Sequence, residues 1–131
     1  ESHELIETSL QKDPSPTERW ALGAILHSFY NGIENVFKRI AAVYDEKIDN
    51  SSQWHIDLLN QMAKPTSERK AIISKELLIS LKKYLAFRHL FRSIYTHELR
   101  WEPMEELVHD LADTLKQFDR EILNFLKDIQ A

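Results

Sequence analysis

Apolar residues in this chain recur at helical spacing, and no stretch alternates in the two-residue rhythm of a strand. The longest such series is Leu22, Ile25, Leu26, Phe29, Ile33, Val36, Phe37, Ile40 and Val43, which lines one face of a helix over about 16–46. Ser15-Pro16-Thr17-Glu18 marks its start with an N-cap serine, a proline at the first helical position and a glutamate at the capping-box position. Residues 3–11 are expected to be the end of a short helix. Asp49-Asn50-Ser51-Ser52 breaks the long helix and caps a shorter one carrying Trp54, Leu58, Leu59 and Met62. Beyond the loop Lys64-Pro65-Thr66-Ser67 a helix resumes near Glu68 or Ser74. Its stripe is Leu77, Leu78, Leu81, Tyr84, Leu85, Arg88, Phe91 or Arg92, and Tyr95. After a bend at Arg100-Trp101-Glu102-Pro103, a last helix of about 103–129 carries Leu107, Leu111, Leu115, Phe118, Ile122, Phe125 and Ile129. The expected fold is all-α: an antiparallel helical bundle of four to five helices, forming a single domain over residues 1–131.

Composition excludes several classes of function. Cysteine is absent, so disulfides and Cys-type zinc sites are ruled out, which is compatible with a cytoplasmic location. No apolar run approaches the ~20 residues of a membrane-spanning helix. The chain does not begin with Met, and we expect its start to have been trimmed. Its two glycines, Gly23 and Gly32, both lie within the long periodic segment, so a glycine-rich phosphate loop is missing. The net charge of −4 argues against general nucleic-acid coating. The charge is unevenly spread, however. Residues 82–100 hold Lys82, Lys83, Arg88, Arg92 and Arg100 against Glu98 alone, a local +4, while the rest of the chain sums to −8. Such a basic face suits RNA or an acidic partner, or it balances the charge of adjacent helices.

The segment from Phe87 to Leu99 concentrates the chemistry. Arg88, Arg92 and Tyr95 share one helix face, and guanidinium groups turned toward a packed surface need acidic partners or an anion. His97 follows Arg92 by five residues, a rotation of about 500° that leaves roughly 140° between the two side chains. For both to act on one phosphate, the helix must loosen near Tyr95–His97 or two copies of the chain must share the site. The pair suits RNA cleavage. His97 can take the 2′-OH proton or protonate the leaving oxygen, and Arg92 can hold the phosphate and stabilise the developing charge. The competing reading pairs Arg92 with a carboxylate of the last helix. On the second helix, His27, Asn31 and Glu34 form a polar stripe beside Tyr30, where Glu34 can neutralise Arg88 or Arg92. His27 with Asn31 or Glu34 has metal-like spacing, but the paired Glu-x-x-His motifs of carboxylate-bridged metal bundles are missing, so no metal or other cofactor is expected. His3, His55 and His109 stand among polar neighbours and receive no role.

Two motifs together carry a resemblance. The run Leu26-His27-Ser28-Phe29-Tyr30-Asn31-Gly32-Ile33-Glu34-Asn35-Val36-Phe37 is followed by Phe87-Arg88-His89, Phe91-Arg92-Ser93, Tyr95, Glu98-Leu99 and Trp101. From about Thr17 onward the chain resembles the HepT-like branch of the HEPN superfamily. The resemblance implies a helical bundle that forms a homodimer through the helix carrying Arg92, Ser93 and His97. It implies a metal-independent ribonuclease acting on RNA, the toxin of a module whose antitoxin is a minimal nucleotidyltransferase. Arg92 and His97 would be the catalytic pair, with Arg88, Ser93, Tyr95 and Glu34 binding RNA or supporting the site. Glu34 resembles the helix-borne acidic residue that faces the arginine in this sub-branch. The chain also departs from the pattern. The antitoxin can silence a HepT toxin by adding AMP to a Tyr two positions after the His, and Leu99 stands there. The His97 position is itself often Tyr in the sub-branch most resembled. The alternative implied is a catalytically inactive dimerisation and binding module that partners a nucleotidyltransferase.

Overall fold

The structure is a computed structural model that describes residues 2–11, 13–45, 52–93 and 99–130. These residues form α1 (Ser2–Gln11), α2 (Pro16–Tyr44), α3 (Trp54–Met62), α4 (Lys75–Ser93) and α5 (Glu102–Gln130). No strand occurs among the described residues. The all-α bundle expected from periodicity is therefore what forms: three long helices and two short ones.

Local chemistry sets the helix ends. At α2 the expected capping box is complete: the Glu18 amide donates to Ser15 Oγ (3.2 Å) and the Ser15 amide donates to Glu18 Oε1 (2.8 Å). α4 begins after Ser74 rather than near Glu68. Ser74 Oγ accepts from the Leu77 amide (3.1 Å), while Ser74 donates from its own amide and hydroxyl to the two oxygens of Glu121 on α5 (2.5 and 2.8 Å). The α3 cap differs from the sequence reading. Of Asp49 to Ser52 only Ser52 lies within the described residues, and it sits in a turn ahead of the cap residue, Gln53, which makes no side-chain capping bond. α3 is held instead by burial of Leu58, Leu59 and Met62. The Met62 carbonyl also accepts from the amides of Ile72 and Ile73, which straps the α3–α4 connection onto the bundle (2.9 and 3.2 Å).

Residue pairings give the helix directions. Along α2 and α4, Gly23 meets Phe91, Asn31 meets Arg88 and Phe29 meets Tyr84, so the two run antiparallel. Ser74 meets Glu121 and Tyr84 meets Leu107, so α4 and α5 are antiparallel as well. The Phe37–Phe118 and Tyr44–Phe125 ring contacts (5.7 and 5.6 Å) tie α2 to α5 in the same direction. The core lies between these three helices, with α3 packed on both α2 and α4 and α1 on α2 and α5. Tyr84 sits at its centre, 2 % exposed, with its hydroxyl donating to the Leu107 carbonyl (2.7 Å). Burial pushes this phenol up to about 12, so it remains a neutral donor.

Some stripe residues fall outside the core: Val43 and Ile129, near the ends of α2 and α5, and Leu115, in the middle of α5, are exposed. Arg92, expected on the core-facing stripe with Arg88, is exposed in the last turn of α4, where its long side chain extends past the packed layer. Phe87, which the stripe omitted, is buried.

Gly23 leaves room for the Phe91 ring of α4 against the α2 backbone. A Cβ at this position would lie 2.6 Å from a ring carbon of Phe91. Gly23→Val is therefore expected to destabilise the fold by about 1–3 kcal/mol through overpacking, despite the better helix propensity of a non-glycine residue. Urea denaturation measures this, and a stabilised variant would refute the close-packing argument.

Candidate functional site

The site grows out of the α2–α4 contact. The Phe91 ring packs against Trp20 (4.9 Å between centroids) and His27 (5.7 Å), with Gly23 leaving room for it. This contact sets the height of the last two turns of α4 against α2. One turn earlier on α4, half-buried Arg88 meets Asn31, its Nε donating to Asn31 Oδ1 (2.7 Å). Asn31 Nδ2 lies 3.3 Å from His27 Nδ1, one turn back along α2. Arg92, one turn beyond Arg88, contributes its positive charge to the surroundings of His27.

His27 is held below the usual imidazole range, first by burial and then by the positive charges of Arg88 and Arg92. Its charged form is thus disfavoured in the folded state relative to the unfolded chain, where its ordinary value is 6.5. The stability this gives is complete above that value and is lost as the pH falls through the lower, folded-state value. The thermal midpoint should fall on acidification below pH 6.5, with a shallower fall in His27→Gln. Thermal scans across pH check this, and identical slopes for the two proteins would contradict it. The same positive surroundings oppose a metal cation, and no group of three His, Asp or Glu among the described residues is placed to hold one.

Glu34 is engaged differently from the sequence expectation. Its carboxylate, 5 % exposed, lies 2.7 Å from Nδ1 of His55 on α3, and neither Arg88 nor Arg92 is its hydrogen-bond partner. The reason is geometric: α3 packs on α2 at the height of Glu34, while Arg88 is taken by Asn31 one turn nearer the start of α2. His55, given no role from sequence, is therefore the partner of Glu34. No local pattern could have revealed it, since its partner lies 21 residues away. Beside it, Trp54 stacks on the His55 ring (3.6 Å) and lies under Lys38 Nζ (4.4 Å). Tyr30 is fully buried, and its hydroxyl has no hydrogen-bond partner among the described residues. Burial and the nearby Glu34 raise it far above the usual phenol range, against the opposing pull of Arg88, so it stays protonated.

Of the six site residues named from sequence, Arg88 and Arg92 thus come together near His27 of α2, while Glu34 is held by His55 of α3. Ser93 closes α4, with its side chain outside those described. Tyr95 and His97 lie outside the described residues. What the described part offers chemically is two guanidiniums on one helix: Arg88 anchored by the Asn31 amide, and Arg92, exposed, one turn further on. Among the described residues no helix is long and apolar enough to cross a membrane. No curated protein and no solved structure matches the chain. A family model described as HepT-like protein matches residues 21–129, from the first turns of α2 to the end of α5, and the chain accordingly belongs to the HepT-like family of the HEPN superfamily.

Proposed function

We propose that this chain is the toxin of a two-gene module, a homodimeric, metal-independent endoribonuclease restrained by a nucleotidyltransferase-type antitoxin. The observation that carries the reading is the arginine pair of α4: Arg88 anchored by Asn31, and Arg92 exposed at the helix end where a phosphate has access. Arg92 binds the scissile phosphate and stabilises the charge that develops on it. His97 takes the proton of the 2′-OH as that oxygen attacks phosphorus, or gives one to the departing 5′ oxygen. Arg88, Ser93, Tyr95 and Glu34 hold RNA or one another in place. The 140° that a regular helix would put between Arg92 and His97 favours a site completed by the second protomer.

The test is cleavage of total RNA and tRNA, with chelator present, by the wild type beside Arg92→Ala and His97→Ala. Cleavage lost in both variants supports the assignment, and equal cleavage by all three proteins overturns it. The second reading is the non-catalytic module, because the His97 position is often Tyr in the sub-branch the chain resembles. A stable complex with the nucleotidyltransferase and no RNA cleavage would support that reading. The mode of restraint is a separate matter. Leu99, which stands where the HepT pattern carries its modified Tyr, is 3 % exposed, and its carbonyl accepts from Arg19 Nε (3.0 Å). Either way, the antitoxin would act on this chain by binding rather than by modifying that position.

A further inference from the structure

Asn31 stands between two groups whose hydrogen-bonding roles differ. Arg88 Nε can only donate, and it lies 2.7 Å from Asn31 Oδ1. The amide oxygen must therefore face α4, which leaves the amide nitrogen toward His27 Nδ1 at 3.3 Å. An amide nitrogen only donates, so Nδ1 must accept, and the neutral ring carries its proton on Nε2. One guanidinium on α4 thus determines the amide orientation of Asn31 and the tautomer of His27. The Phe91 ring packs beside His27, and Nε2 is buried without a hydrogen-bond partner among the described residues.

We propose that Asn31 and His27 are positioning residues for Arg88: the neutral, Nε2-protonated imidazole holds the Asn31 amide in the orientation that aims the guanidinium at an RNA phosphate. The proposal rests on the reading of α4 as a phosphate-binding helix and deepens it. Neither residue touches the substrate; both act through Arg88. The relay works in both directions. A proton added at Nδ1 would oppose a donor to the Asn31 amide nitrogen. If the amide turned over to accept it, its nitrogen would then face Arg88 Nε–H, and the anchor would be lost. Among the described residues, the further titratable groups on α2 nearby are Tyr30 and Glu34, with Glu34 engaged by His55 of α3.

Two measurements on the intact protein test the relay. Long-range proton–nitrogen NMR spectra of ¹⁵N-labelled protein should show His27 at neutral pH as a single neutral tautomer with Nδ1 unprotonated. In Asn31→Asp the carboxylate still accepts from Arg88 but can also accept from an Nδ1–H, so His27 should gain a proton on Nδ1, as the other neutral tautomer or as the doubly protonated ring. A wild-type ring protonated at Nδ1, or a ring that ignores Asn31→Asp, would overturn the proposal. The second measurement is binding of a fluorescent single-stranded oligoribonucleotide. Asn31→Leu should weaken it about tenfold, the scale of one charge-assisted hydrogen bond. Arg88→Ala should weaken it similarly, and the double variant should bind no worse than Arg88→Ala alone. His27→Leu should reproduce the loss and His27→Gln, a neutral acceptor, should restore most of it. Independent, additive losses would refute action through Arg88. If the wild type binds no RNA, the ribonuclease reading fails, and the NMR result alone decides whether the relay exists.

Discussion

Arg69→Ala is expected to cost about 3–5 kcal/mol of folding stability, the range for breaking a buried ion pair from one side. The side chains of Arg69 and Asp45 are 0 % and 3 % exposed. Arg69 Nε and Nη2 donate to the two carboxylate oxygens of Asp45 (2.7 and 2.8 Å). The remaining N–H groups go to the carbonyls of Lys64 (2.8 Å), Lys70 (3.0 Å) and Gln61 (3.3 Å), and Gln61 Nε2 donates to Asp45 as well. One guanidinium therefore gathers the end of α2, the end of α3 and the loop leading to α4. Alanine would leave a buried carboxylate and three carbonyls short of donors, and that desolvation, rather than the lost attraction, dominates the cost. For a chain of this size the thermal midpoint should drop by roughly 10–20 °C. Arg69→Lys keeps the charge but not the fork, and should recover less than half. The Arg69 hydrogen bonds hold the Asp45 carboxyl below its ordinary value of 3.8. The pair's contribution is therefore complete above that value and lost as the pH falls through the lower folded-state value, so wild type and variant should converge in acid. A loss under about 1 kcal/mol at neutral pH would show that the network is dispensable.

On the proposed ribonuclease activity, Arg92→Ala should lower the cleavage rate by about 10²–10³-fold, the usual consequence of removing one donor to a developing negative charge. The effect should fall mainly on kcat, because the charge on the phosphate grows toward the transition state. Arg88→Ala should act more on KM, since Arg88 is half-buried and tied to Asn31, which suits it to holding the substrate in its ground state. Arg92→Lys keeps a charge without the planar fork and should recover only part of the loss. Single-turnover cleavage of a defined oligoribonucleotide separates these effects. An Arg92→Ala protein that loses only KM would place Arg92 among the binding groups instead.

Much of this molecule could be read from local pattern. The capping box at Ser15 and Glu18, the proline in the first turn of α5 and the apolar spacing along α2 all act within a few residues of chain, so sequence alone reveals them. The α3 cap is not legible in sequence: the cap residue is Gln53, and the packing of Leu58, Leu59 and Met62 places that helix without a capping side chain. Arg88 and Arg92 could be found as a pair, but their unequal exposure could not, because exposure depends on where the neighbouring helices end. Arg69 drew no notice at all. In sequence it is one basic residue in a polar loop, and only the approach of Asp45 from the end of α2 makes it the centre of a buried network.

By itself, then, the sequence determined the helical class, the start of α2, the absence of thiol chemistry and the arginine-bearing helix, because each follows from periodicity or residue type over short distances. Tertiary structure decided the partners: His55 for Glu34, Asn31 for Arg88 and Asp45 for Arg69. These pairs are separated by 21 to 57 residues, and a charged or amide side chain has several acceptable partners in any sequence. Which one it meets depends on the height at which two helices pack, and that is set by ring and glycine contacts such as Phe91 against Gly23.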